Sequence, residues 1–492
     1  MRSYQIRRLA FGLLGFVAAC APAASNSNGS PDASVSPDGA AGGDGSLNYA
    51  PAPSVDGGSS SSGSSSSNSS SSGSGSSSTS TSSSTSTATN CTIGFAGQGD
   101  TNPNFNSAVG ARTNNALVIL SAYNGPEVFG DGGGPGGFGS IWAQAFDPAS
   151  GASLGPVQPL IDLGSSGVDV TILSAAIAPT GEIAVLHRGG YGTGDLYAEF
   201  LTPSSDAGVA LGGGVGLQVE RDQIVTTNGN EQAQVVWSNA TNSFVVTYAS
   251  GINYIWTIGI SEYSADGALV VGGLGVSAVP TDQAGGGSTI TEPSVGISGN
   301  VVGVPFISNL SSANLYPGLT ILNLEGAQVG SSIYLANTKA GDVGEPGLAI
   351  AGTSQGFVTV FSEISSTLVE FIPTSSSGIV SDGGAFPTMT LNEASLPNGL
   401  GVGGVPSIIA VSDNVGTGGA GGVGVAIDYP AGLSFAYVTA DGSHVTGPVN
   451  VLSPNGSQTE ISITNYNGSM VLTLYIGSNG PQQAQIIAVS CQ

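Results

Sequence analysis

Positive charge is what this chain most lacks. Its 492 residues hold seven Lys plus Arg against 32 Asp plus Glu, a formal net charge of −25, and charged residues make up only 8% of the whole. A typical globular domain carries about 25%. Arg2, Arg7 and Arg8 sit at the very start, which leaves Arg112, Arg188, Arg221 and Lys339 to face all the acids. Phosphate backbones are bound by clustered Lys and Arg, so nucleic acid is excluded as a partner. Histidine is scarce as well. His187 and His444, with Cys20, Cys91 and Cys491 as the only thiols, show none of the three- or four-ligand spacings of a zinc site. The apolar run Leu9 to Ala18 is about half the length that a membrane-crossing helix needs. Glycine, in contrast, is abundant at 79 residues, and the 40% apolar content is enough for a sizeable core.

The scarce bases are placed like an address. Arg2, Arg7 and Arg8 precede the apolar run, which ends in Val17-Ala18-Ala19-Cys20. A basic start, a short apolar stretch and small residues form a secretory signal. The ending resembles the lipobox of bacterial lipoproteins: an aliphatic residue, two small residues, then Cys. The resemblance covers residues 1–20 and implies cleavage before Cys20 and lipid attachment to its sulfur. Val17 stands where Leu is commoner, and Ala21 follows where Asp would mark inner-membrane retention. The resemblance therefore implies an outer-membrane lipoprotein at the cell surface or periplasmic face. The residues around Arg7-Arg8 fit twin-arginine export poorly, so the general route is expected. Acyl chains would hold the protein at the membrane without a spanning helix.

Residues 21–90 are Ser, Gly, Ala, Pro, Thr and Asn with a few Asp. Such a stretch has too little to bury to offset its ordering entropy, and it reads as a flexible tether. It would span about 45–50 Å as a coil and up to roughly 240 Å if pulled straight.

Residues 91–492 change character. Short runs rich in Val, Ile, Thr, Phe and Tyr recur between Gly, Asn, Ser and Pro, as in Phe244 to Tyr248, Phe357 to Phe361 and Met470 to Tyr475. These are strand and turn signals, and they repeat. A turn glycine comes back at Gly151, Gly208, Gly267, Gly326, Gly378 and Gly442. Turns that lead into second strands recur at 113–115, 179–181, 239–242, 298–300, 353–356 and 465–468, and Glu292-Pro293 and Glu345-Pro346 introduce two of the first strands. Six four-stranded units result, and a seventh from Glu460 lacks its last strand. A spare strand, Cys91 to Ala96, stands at the other end. The pattern resembles a seven-bladed β-propeller, an all-β ring closed by the N-terminal strand completing the last blade. No propeller-family signature accompanies it. Six or eight blades, or a run of β-sandwich modules, would give similar strands. Closure by the N-terminal strand makes Cys91 and Cys491 neighbours. On an oxidising export route they are expected to pair, with an upper estimate of about 6 kcal/mol for so long a loop.

Chemical motifs fail in context. Gly352-Thr353-Ser354-Gln355-Gly356 matches a nucleophile elbow by letter, with Asp428 and His444 following in hydrolase order, but Phe357 opens a strand where the elbow needs a helix. The run Gly399 to Gly404 precedes Val405-Pro406 and a strand, so no helix N-terminus follows it. Asp100 to Asn104 begins like a calcium loop, but Phe105 takes the place of the turn glycine. No cofactor is expected; calcium fits the acidic composition without a definable site. His187 is expected at a rim or channel position and His444 in solvent. Trp142, Trp237, Trp256, Tyr191 and Tyr254 are the aromatic candidates for sugar stacking. Trp237 is expected in the core, whereas Trp256, with Tyr254 in a loop from Ser250, is the better surface candidate. The expected ligand-binding residues are therefore Trp256, Tyr254 and His187. The loops Asn124 to Ser140 and Asp413 to Gly424 exceed the repeat norm. The scarcity of His, Lys and Arg, the long tether and the missing motifs favour a non-catalytic protein- or glycan-binding module, expected as a monomer. The alternative is a propeller hydrolase or lyase acting on polysaccharide, which would need two convergent carboxylates; Asp169, Glu220, Asp282 and Glu345 lie near expected strand starts.

Overall fold

The computed structural model describes residues 91–491 except 126–137, 164–169, 190–194, 205–207, 227–232, 253–254, 277–293, 312–313, 331, 336–347, 363–366, 376–377, 380–387, 392–407, 412–421, 430–431, 453–457, 467–468 and 477–481. The expected signal and tether, 1–20 and 21–90, lie outside the described residues.

Strand β1 (Cys91–Gln98) comes first and is set aside for the end of the ring. Blade 1 follows as β2 (Phe105–Arg112), β3 (Leu117–Gly125), β4 (Phe138–Phe146) and β5 (Gln158–Asp162). Blade 2 is β6 (Thr171–Ile177), β7 (Ile183–Arg188), β8 (Leu196–Pro203) and β10 (Val215–Thr226), with β9 (Val209–Gly212) added outside β10. Blade 3 is β11 (Ala233–Ser238), β12 (Ser243–Ile252), β13 (Ile255–Ser264) and β14 (Leu269–Val276). Blade 4 is β15 (Gly296–Ser298), β16 (Val301–Ser311), β17 (Asn314–Asn323) and β18 (Ile333–Tyr334). Blade 5 is β19 (Leu348–Gly352), β20 (Gly356–Ser362) and β21 (Thr367–Ser375), with β22 (Gly378–Ile379) and β23 (Thr388–Leu391) both pairing to β21. Blade 6 is β24 (Ile408–Val411), β25 (Val423–Tyr429), β26 (Gly432–Val438) and β27 (Val445–Leu452). Blade 7 is β28 (Gln458–Tyr466), β29 (Ser469–Ile476), β30 (Gln483–Cys491) and, on its outside, β1.

The first strands of successive blades lie against one another all the way round, and β28 against β2 closes the circuit. The protein is a seven-bladed all-β propeller. The expected closure by the N-terminal strand is what the sheet order β1-β30-β29-β28 contains. Cys91 stands opposite Cys491 in that ladder, at disulfide-bonding distance, with Cα atoms 4.1 Å apart.

The core is divided by seams. One apolar cluster lies between each pair of adjacent blades: Val118 and Leu120 with Val185 between blades 1 and 2, Leu186 and Phe200 with Phe244 between 2 and 3, and so on to Ile119 and Phe146 with Ile486 between 7 and 1. A middle strand is therefore covered on both faces. Phe244 and Val246 face blade 2 while Val245 between them faces blade 4. This explains why these strands read as unbroken apolar runs rather than as alternating ones.

Two local devices make the repeat. The turn before the outermost strand is built alike in blades 1, 3, 4 and 6. The amides of Gly151, Gly267, Gly326 and Gly442 donate to the carbonyls of Asp147, Ser264, Asn323 and Thr439. All four glycines have positive φ, a region that costs any other residue except Asn or Asp. Gly267 and Gly442 also pack directly on Phe200 and Phe371 of the preceding blade. The second device stitches the inner strands. Ser107 Oγ accepts from the Ile172 amide (2.9 Å), Ser174 Oγ from Val235 (3.3 Å), Gln234 Oε1 from Val295 (2.6 Å) and Ser462 Oγ from Gly110 (2.8 Å). Each first strand is an edge of its own sheet, and these side chains satisfy amides that the sheet leaves over.

Two blades depart from the expected regularity. Blade 2 has a fifth strand because Gly212, Gly213 and Gly214 all take positive φ and turn β9 back onto β10. Blade 5 splits its outer strand between β22 and β23.

Candidate functional site

In a four-stranded meander, the connections from second to third strand emerge at the same end as those from each fourth strand to the next blade. That end of the ring includes the starts of β2 and β6 and the end of β3. At its described part, between blades 1 and 2, Asn106 Nδ2 and Asn124 Nδ2 both donate to the Val170 carbonyl (2.7 and 3.0 Å), and Asn124 Oδ1 accepts the Val170 amide (2.8 Å). Beside them Phe105, Tyr123 and Trp142 form an aromatic group with ring centroids 4.9 to 6.1 Å apart. Trp142 is half-buried, and its Nε1 donates to Ser140 Oγ at 2.9 Å.

Among the described residues, a fully buried ionisable pair lies in blade 2. His187 ends β7 next to Arg188 and pairs in register with Tyr197 of β8; Val185 pairs with Glu199, and Glu199 with Asp222 of β10. Alternation along β7 puts His187 on the face of Ile183 and Val185, which packs against blade 1. His187 Nε2 and Glu199 Oε1 are 3.1 Å apart, and neither side chain has any exposure. The Tyr197 ring stacks on the imidazole, with centroids 5.3 Å apart and planes 10° from parallel. Burial raises the Glu199 carboxyl above its ordinary value; the hydrogen bond and charge of His187 pull it back, and the charge of Asp222 adds to the rise. His187 Nδ1 and Glu199 Oε2 have no hydrogen-bond partner. The pair can share a proton across the contact between His187 Nε2 and Glu199 Oε1, but it touches no solvent. His187 is thus an interior residue, not the rim or channel residue expected, because strand alternation turns it into the seam.

Glu199 was not among the residues expected to matter. The signal was a cross-strand one: His187 and Tyr197 flank the glycine-rich sequence 189–195, and the pairing of β7 with β8 brings the acid alongside the imidazole.

The other expected positions divide between described and undescribed residues. Trp256 does not lie in a loop. It is in β13, opposite Gly251, because the β12–β13 ladder runs on to Ile252 and Ile255. Tyr254, Tyr191, Asp169, Asp282, Glu345, Glu292-Pro293, Glu345-Pro346 and the run Gly399 to Gly404 lie outside the described residues. Trp237 is buried between blades 2 and 3. Glu220 and His444 are exposed. The 352–356 segment is a hairpin turn between β19 and β20, in which Thr353 Oγ1 accepts the Gln355 and Gly356 amides (both 3.2 Å). Asp100 Oδ2 accepts the Val157 amide at 2.9 Å, and Asn102 Oδ1 that of Asn104 at 3.0 Å. Among the described residues no three His, Cys, Asp or Glu are grouped to hold a metal ion.

No protein-family profile matches the chain, and no curated protein sequence does. Solved structures similar to it include an α-L-arabinanase of Penicillium chrysogenum, at 12% identity over 64% of this chain and 92% of that one, TM-score 0.40. Drosophila Semaphorin 1a, extracellular domains 1–2, is similar at 10% identity over 81% of this chain and 88% of that one, TM-score 0.42. The polysaccharide lyase Uly1 is similar at 9% identity over 80% and 90%, TM-score 0.42. At this distance none of them speaks to ligand or reaction.

Proposed function

We propose that the chain is an outer-membrane lipoprotein, lipidated at Cys20 and held on the tether 21–90, whose propeller is a monomeric, non-catalytic protein- or glycan-binding module. The observation that carries the reading is where the chain joins the ring. Cys91 begins the outermost strand of blade 7, at the end that bears the short turns into β3, β20 and β29. A partner would then be met at the opposite end, where each blade passes to the next.

The test uses the mature chain with Cys20→Ser, applied to glycan and surface-protein arrays at equal protein and calcium-chelated or calcium-supplemented conditions. Saturable binding with no new reducing ends or unsaturated products supports the reading. Product formation on any bound polysaccharide overturns it. Intact mass of Cys20 from a diderm host tests the anchor.

A further inference from the structure

We propose that the Cys91–Cys491 pair is a load clamp: it carries tension arriving through the preceding chain into β30 and spares β1. The inference rests on the tether reading, which makes residue 91 the point where a pull on the membrane anchor enters the ring. The two strands at that point are built very differently. β1 is an edge strand with neighbours on one side only. Thr92, Ile93, Gly94, Ala96 and Gln98 are all exposed, and its ladder is interrupted between Ile93 and Ala96. β30 is paired on both sides, to β1 and to β29. Its Ile486, Ile487 and Val489 are buried.

A pull on residue 91 loads the Cys91 end of the ladder first, whatever its direction. Without a crosslink that end has only edge-strand hydrogen bonds and few apolar contacts to resist it. Losing β1 would leave β30 with a bare edge and open blade 7, where the ring closes. The cysteines occupy the first rung, Cys91 opposite Cys491. A crosslink there passes the load to the end of the better-held strand before β1 feels it. A disulfide anywhere further along β1 would close the ring equally well but would leave the loaded end free to peel.

The test is single-molecule stretching of the mature chain with Cys20→Ser, with one handle at the N-terminus and one on a peptide tag inserted between the exposed Ala240 and Thr241. The oxidised protein is expected to show no extension before blade rupture. After reduction of the folded protein, and in Cys91→Ser/Cys491→Ser, an early low-force step should free the eight residues of β1, a contour of about 25–30 Å. Reduction in place keeps the test valid if the double variant does not fold. The same first rupture in both redox states overturns the clamp. The tether reading fails separately, if Cys20 carries no lipid.

Discussion

Cys91 and Cys491, separated by 400 positions in sequence, face each other on one rung of the ladder that joins the two ends of the propeller, their Cα atoms 4.1 Å apart. The ring is thus shut by backbone pairing and by a thiol pair at the same place. Protein made in an oxidising compartment should be lighter by two hydrogens than the reduced form, with both cysteines in one crosslinked peptide. Reduction should lower the melting temperature. The loop-entropy argument sets an upper bound of about 6 kcal/mol, and yields are commonly smaller. Two thiols that react freely in the native protein would contradict the closure.

The pH dependence of stability should run opposite to ordinary acid denaturation over the mildly acidic range. Burial raises the carboxyls of Glu199 and Glu262, the latter against the pull of a hydrogen bond from Ser243 and with the charge of Glu325 adding to the rise. A raised folded value means that the folded state holds protons the unfolded chain has released. The stabilisation is fully present below the unfolded carboxyl value and is lost as pH rises through the folded one. Asp441 behaves in the reverse sense: hydroxyls of Thr439 and Ser443 and the Ser443 amide hold it down to about 2, so its contribution is lost only as pH falls toward that value. Thermal melts should therefore show stability rising from pH 8 to about pH 5. Glu262→Gln, which keeps an acceptor for Ser243, should flatten that slope and raise neutral-pH stability. A melting temperature that falls steadily on acidification from pH 8 would refute this.

The glycine turns permit a graded test. Gly214 has φ +78° with open space around its Cα, whereas Gly442 has φ +66° and packs on Phe371. Gly214→Ala should cost only the left-handed backbone penalty, about 1 kcal/mol. Gly442→Ala adds a clash with the ring of the neighbouring blade and should cost about 2–4 kcal/mol. Denaturant titration of the two variants decides it; equal losses would mean that the turn's role in blade packing is wrong.

These turns were also the most legible part of the sequence. Gly151, Gly208, Gly267, Gly326 and Gly442, spaced at blade intervals, all adopt positive φ, because a tight turn imposes its residue type locally. The closing strand was legible for a related reason: a missing strand at one end and a spare one at the other admit one pairing. What could not be read was anything that depends on register or on which face of a strand meets which blade. Trp256 passes from loop to strand with a two-residue extension of the β12–β13 ladder. Strand β9 needs three successive left-handed glycines, which look like any glycine-rich loop. His187 looks like a rim residue until alternation is counted from Ile183, and Glu199 joins it only across a hairpin.

That pair gives the sharpest test of whether its role is structural or ligand-directed. His187 Nε2 and Glu199 Oε1 meet at 3.1 Å with neither side chain exposed. Removing one partner strands the other in the seam between blades 1 and 2, an uncompensated buried polar group worth about 3–5 kcal/mol when it is charged. His187→Ala and Glu199→Ala should each be strongly destabilising. Replacing both by apolar residues of similar volume, His187→Leu with Glu199→Met, removes two unpartnered atoms along with the pair, Nδ1 and Oε2, and should recover most of the loss. If the double variant is near wild type in stability and still binds every ligand that the parent binds, the pair is a seam element and the ligand face lies elsewhere. If stability is recovered but binding is lost, His187 reaches ligand after all, which requires the seam to open on binding. Hydrogen exchange on Leu186 and Ala198, with and without ligand, would then show loss of protection in the bound state.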